Sequence, residues 1–121
     1  MKVLVIDDEE DIRIVAHLSL GRVGGMTVLE ARNGQEGVQR AQAEQPDFIL
    51  LDMMMPGMDG AATFAALQAS PETAAIPVVF MTAKAMTTEV GRLMSLGAKG
   101  VVVKPFNPMS LADDVRAILG I

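Results

Sequence analysis

Four short apolar runs in this chain each end in a charged or hydroxyl side chain, and helix-length segments separate them. Val3-Leu4-Val5-Ile6 leads into Asp7-Asp8, and Phe48-Ile49-Leu50-Leu51 into Asp52. Val78-Val79-Phe80-Met81 leads into Thr82, and Val101-Val102-Val103 into Lys104. Unbroken Val- and Ile-rich runs of this length suit strands buried on both faces, as in a parallel sheet. Alternation with helix-length segments is the pattern of consecutive βαβ units. In such a sheet the carboxyl ends of all strands lie along one edge. Three carboxylates, a hydroxyl and an ammonium are therefore expected to meet in one crevice.

The spacing predicts strands near 2–7, 26–31, 47–52, 77–82 and 100–104, and helices near 10–22, 34–44, 60–69, 85–96 and 108–119. Leu111, Val115, Ile118 and Leu119 form one apolar stripe on the last helix, and Val90, Leu93 and Met94 one on the fourth. Gly97 and Gly100 bracket the turn between the fourth helix and the fifth strand, where positive φ is useful. Asn107-Pro108 is expected to open the last helix, with Asn as cap and Pro in first position. Asp59 has the character of a cap before Gly60. Right-handed crossovers between five βα units suit the flavodoxin-like order 2-1-3-4-5, an α/β doubly wound parallel sheet. Strands 1 and 3 are then neighbours at the topological switch point, where open α/β sheets bind their ligands. Asp7, Asp8 and Asp52 fall there.

At 121 residues and 50% apolar composition, one packed domain over 1–121 is expected, with no output domain. The absence of cysteine excludes disulfides, thiolate metal sites and cysteine nucleophiles. No apolar stretch reaches the roughly 18 residues that span a bilayer, so a cytoplasmic protein without membrane contact is expected. A net charge of -5, with acidic residues densest from Asp7 to Asp11, argues against a nucleic-acid surface.

Three clustered carboxylates repel one another and raise each other's pKa unless a cation neutralises them. An oxygen-only donor set with room for water and phosphate favours Mg²⁺, with Mn²⁺ as a substitute. Glu10 and Asp11 are explained by the dipole at a helix start; a third carboxylate at the end of strand 3 is not. A single Asp at a strand end is commonly a turn residue, but Asp52 has partners. Its carboxylate can attack a phosphoryl group, while a metal and Lys104 offset the charge on the phosphoryl oxygens. Thr82, at a strand tip before Ala83, can reach a phosphoryl oxygen.

The Asp7-Asp8 pair, the segment from Asp52 through Met53-Met54-Met55-Pro56-Gly57-Met58 to Asp59-Gly60, Met81-Thr82-Ala83-Lys84 and Lys104-Pro105-Phe106 together resemble the receiver domain of two-component response regulators. The resemblance covers essentially the whole chain. It implies that Asp52 is the phosphoacceptor, supplied by a phosphohistidine on a sensor histidine kinase or histidine phosphotransfer protein. It implies Mg²⁺ held by Asp8, Asp52 and the backbone carbonyl of Met54, with Asp7 bound directly or through water. A cis Lys104–Pro105 peptide is implied as well. Phosphorylation would then shift the helix 4–strand 5–helix 5 face and change the affinity for a downstream effector, with the chain a monomer or a phosphorylation-dependent dimer.

Two features depart from that family's pattern. Receivers usually carry an aromatic switch residue three positions before the lysine, where this chain has Val101; switching is then expected to rely on the strand 4–helix 4 loop. Met54 and Lys84 flank the phosphoryl position and bear on how long a phosphoaspartate lasts. His17, on helix 1, is expected at the surface rather than as a donor in cis, and the Met53-Met54-Met55 run as packing rather than a sulfur metal site.

Other functions fit less well. A phosphohydrolase with an aspartyl-phosphate intermediate needs a second Asp two residues after the nucleophile, where Met54 stands. A flavin carrier needs a Ser-, Thr- and Gly-rich phosphate loop, and Asp7-Asp8-Glu9 would repel phosphate. An unphosphorylated pseudo-receiver that works by partner binding is the remaining alternative, kept alive by Val101.

Overall fold

The computed structural model describes residues 1–83 and 87–121. Five strands, β1 (Lys2–Ile6), β2 (Thr27–Ala31), β3 (Phe48–Asp52), β4 (Val78–Thr82) and β5 (Gly100–Val103), alternate with five helices. The helices are α1 (Glu10–His17), α2 (Gly34–Glu44), α3 (Gly60–Ala69), α4 (Thr87–Ser95) and α5 (Leu111–Leu119). All strand pairs are parallel, in the order β2-β1-β3-β4-β5, the predicted flavodoxin-like arrangement.

Side chains alternate across the strands and build two cores. Leu4 and Ile6 of β1 join Ile49, Leu51 and Phe80 on one face, under Ala41 of α2, Phe64 and Leu67 of α3 and Leu93 of α4. Val3 and Val5 join Leu50, Val79 and Met81 on the other, under Ala16 of α1 and Leu111 and Val115 of α5. Every residue of β3 and of β4 is buried, which is why these strands read as continuous apolar runs. Phe64 and Phe80 meet edge to face, with centroids 5.5 Å apart.

Strand bounds agree with the spacing to within a residue, but some helix predictions need correction. The first helix is α-helical only to His17 and continues as a π-helical turn over Leu18–Val23. Asn107-Pro108 does not begin α5. The Asn107 side chain accepts a hydrogen bond from the Met109 N–H, and its carbonyl accepts from Ser110 and Leu111. Asn107 therefore closes a turn, and Ser110 stands at the cap position of a shorter α5. Of the two bracketing glycines, Gly97 has φ +119°, but Gly100 lies inside β5. Gly100 serves close packing instead, because a Cβ there would lie 2.5 Å from Ile118 Cγ2. Met94, expected in the stripe of α4, is exposed, whereas Leu93 is buried. Residues 85 and 86, the predicted start of that helix, lie outside the described residues. Asp59 caps α3 as expected, accepting from the Ala62 N–H.

Candidate functional site

The strand register sets the crevice. Ile6 pairs with Leu51, so Asp7 follows β1 beside Asp52. Asp52 pairs with Met81 and Thr82 with Val103, so Thr82 and Lys104 come next around the same edge. Asp7, Asp52 and Thr82 are buried, whereas Asp8 is exposed at the rim. One carboxylate oxygen from each of Asp7, Asp8 and Asp52 lies within 4.8 Å of the other two. The Lys104 ammonium donates to Asp7 Oδ2 at 2.9 Å and to Asp52 Oδ1 at 3.1 Å. Its backbone N–H bonds to the Thr82 carbonyl at 2.7 Å, and the Lys104–Pro105 peptide is cis. All five side-chain positions predicted for the site thus lie at one sheet edge.

Local bonds hold the acids in place. The Glu9 N–H donates to Asp7 Oδ1 at 2.9 Å, and the Met54 N–H to Asp52 Oδ1 at 3.4 Å. Arg13 Nη1 donates to the Asp7 carbonyl at 2.8 Å, while its Nε faces Glu30 at 3.3 Å. Sequence reasoning missed Arg13: a bond six residues back to a backbone atom follows no helical spacing rule. The Met54 side chain is exposed beside the site, Lys84 lies outside the described residues, and the His17 ring is exposed with Nδ1 3.1 Å from Glu30. Val101 is half-buried opposite Phe80 and lines a groove of about 490 Å³ with Phe106 and Ile118.

Burial, reinforced by the Asp7 charge, raises the Asp52 carboxyl from 3.8 to about 6, against the opposing pull of Lys104 and the Met54 N–H. Burial works against the Lys104 charge, but the hydrogen bonds and charges of Asp7 and Asp52 outweigh it, so its pKa is raised. Three carboxylates against one ammonium leave uncompensated negative charge. The donor set is oxygen only and partly open to solvent, and it fits a hard divalent cation.

The structure is a parallel α/β sheet with an acidic pair after β1, an acid ending β3 and a lysine after β5, the layout expected of a receiver domain. Residues 3–116 match the family model for the response regulator receiver domain. The chain belongs to that family and is a receiver domain of two-component signalling rather than a metabolic enzyme. It is 36% identical over 118 residues to the alkaline phosphatase synthesis transcriptional regulatory protein PhoP of Bacillus subtilis, covering 98% of this chain and 48% of that protein. It is 34% identical over 120 residues to protein PilH of Pseudomonas aeruginosa, covering 98% and 97% of the two chains. Its fold resembles the chemotaxis protein CheY4 of Vibrio cholerae with a TM-score of 0.90 and 30% identity, covering 97% of each chain. The chain spans about half the length of most of the curated relatives it matches, the transcriptional regulators, but nearly all of PilH. Receivers of this family interact with kinases and effectors. No helix among the described residues is long and apolar enough to cross a membrane.

Proposed function

We propose that this receiver accepts a phosphoryl group on Asp52 and works as a stand-alone signalling unit. The observation that carries the reading is the Lys104 ammonium held between Asp7 and Asp52 beside a three-carboxylate cluster. An Asp52 oxygen attacks phosphorus as the phosphorus–nitrogen bond of a partner's phosphohistidine breaks, and the acyl phosphate later returns its phosphoryl group to water. Lys104 and the Thr82 hydroxyl hold the phosphoryl oxygens. Asp7, Asp8, Asp52 and the Met54 carbonyl would hold Mg²⁺, with Mn²⁺ as substitute. When bound, such an ion would offset charge on the transferring group.

PilH, matched over nearly its whole length, is a precedent for a receiver of this size, whereas the transcriptional regulators are about twice as long as the stretch they share with this chain. The donor is a sensor kinase or a histidine phosphotransfer protein in the cytoplasm. Ile14 and Leu18, one turn apart and exposed on and just beyond α1, offer it an apolar contact. Phosphorylation shifts the α4–β5–α5 face toward a state with altered affinity for an effector protein or a second copy of the chain. The half-buried Val101 favours a second reading, a pseudo-receiver that acts by binding alone. Intact mass after incubation with acetyl phosphate and Mg²⁺ separates the two. One phosphoryl addition, lost with EDTA or in Asp52→Asn, is expected; no addition, with Mg²⁺ binding verified, favours the pseudo-receiver.

A further inference from the structure

The loop between β5 and α5, residues 104–110, carries Lys104 at its head and is mostly exposed beyond it. Its hydrogen bonds after Lys104 are largely its own. Met109, Ser110 and Leu111 all bond back to Asn107. Among the described residues, one hydrogen bond ties residues 105–110 to a distant part of the chain: the Ser19 hydroxyl donates to the Pro108 carbonyl across 89 positions.

Ser19 is 1% exposed and lies in the π-helical turn that follows α1, next to the buried Leu20. A hydroxyl so placed costs free energy unless it is hydrogen-bonded, and Pro108 provides the partner. Gly24, the cap of the turn, is held against α5 in two ways. Arg116 Nη2 donates to the Gly24 carbonyl at 2.6 Å. Gly24 permits the close approach, because a Cβ there would lie 2.8 Å from the Ala112 Cβ. Single π-helical turns occur often at functional sites. Here the turn sets the Ser19 hydroxyl against the loop that follows the site lysine.

We propose that Ser19 is a positioning residue for Lys104, fixing the β5–α5 loop through Pro108 so that the ammonium stays directed at Asp52. The loop is anchored at one end by the Lys104 N–H bond to Thr82 and in its middle by Ser19. Phe106 also packs against the core, so losing the second anchor loosens the exposed part of the loop beyond it, 107–109, and the cost falls on the placement of Lys104 against the transferring group. The proposal rests on the phosphoacceptor reading above.

The test compares wild type, Ser19→Ala and Ser19→Thr in acetyl phosphate-driven phosphorylation followed by intact mass, with Mg²⁺ affinity measured in parallel. Ser19→Ala is expected to lower the maximal rate by roughly 10-fold, the equivalent of one lost hydrogen bond. The half-saturating donor concentration and the Mg²⁺ affinity should stay within about twofold, since only the transition state uses the lysine fully. Ser19→Thr, which keeps the hydroxyl, should restore most of the rate. An alanine variant as fast as wild type overturns the proposal, and so does one that loses rate and Mg²⁺ affinity together. A wild type that takes no phosphoryl group overturns the phosphoacceptor reading, and this proposal with it.

Discussion

Two clusters of acids and bases lie within a few residues of each other on this fold, and only one is equipped for chemistry. In the crevice, Lys104 sits between Asp7 and Asp52, with side chains 11%, 0% and 4% exposed. On the outer surface of α1 and β2, Glu30 sits between Arg13 and His17, and the Glu30 and His17 side chains are 38% and 52% exposed. The contact distances are similar, from 2.9 to 3.3 Å. Arg13 is as buried as Lys104, at 11% exposed, so the difference lies in the burial of the acids. Water and salt screen the outer cluster, while the crevice keeps its charges unscreened and short of positive charge. The excess negative charge suits a hard cation, and under the proposed function the lysine is held where the transferred anion would arrive.

Removing Lys104 should break the crevice most severely. Lys104→Met leaves two buried carboxylates facing each other, and phosphorylation by a small donor should slow by at least ~100-fold. Stability without metal should also fall, by about 3 kcal/mol, as is common when one partner of a buried ion pair is deleted. Donor-driven mass kinetics and urea unfolding at pH 8 would measure both effects.

The Asp52 carboxyl gives the next effect, and its sign is set by the raised pKa. The folded protein holds the Asp52 proton more tightly than the unfolded chain, with a value of about 6 against 3.8. Metal-free stability from this group is therefore fully present below 3.8 and is lost as pH rises through about 6. Asp52→Asn should remove that loss and stabilise the metal-free protein at pH 8 by on the order of 2 kcal/mol, with little change at pH 4. Urea unfolding of both proteins at the two pH values would show it. A difference independent of pH would argue against the buried, charge-poor crevice.

A milder change concerns the exposed Met54 side chain, beside the site but outside its ion pairs. Met54→Asn replaces an apolar group with one able to orient water, and should shorten the phosphoaspartate lifetime a few-fold, roughly 3-fold. Autodephosphorylation followed by intact mass would measure it. The outer cluster should respond least. Glu30→Gln should change stability by less than about 0.5 kcal/mol and leave phosphorylation untouched. A large loss of phosphorylation there would mean that Arg13, through its bond to the Asp7 carbonyl, depends on Glu30 for its placement.

The crevice was legible in the sequence and its supports were not, for a physical reason. Strands buried on both faces announce themselves as Val- and Ile-rich runs, and a parallel sheet must bring their ends together. Asp7, Asp52, Thr82 and Lys104 could therefore be placed without coordinates. The Asp59 cap was legible too, because capping is local. Arg13 reaching back to the Asp7 carbonyl, and Ser19 reaching Pro108 across most of the chain, depend on how α1 docks, which no spacing encodes. The start of α5 was misread because Asn-Pro serves a tight turn as well as a helix cap, and only the bonds made by Asn107 tell them apart. The π-helical turn after His17, whose end packs against α5, likewise had no signal in the spacing of apolar residues.

The most direct test of the central claim is to locate the phosphoryl group. Borohydride reduction of the acetyl phosphate-treated protein, followed by peptide mapping, converts an acyl phosphate to the corresponding alcohol at the residue that carried it. Homoserine at position 52, dependent on Mg²⁺, is the predicted result. Modification at another position, or none in a protein shown to bind Mg²⁺, would contradict the account.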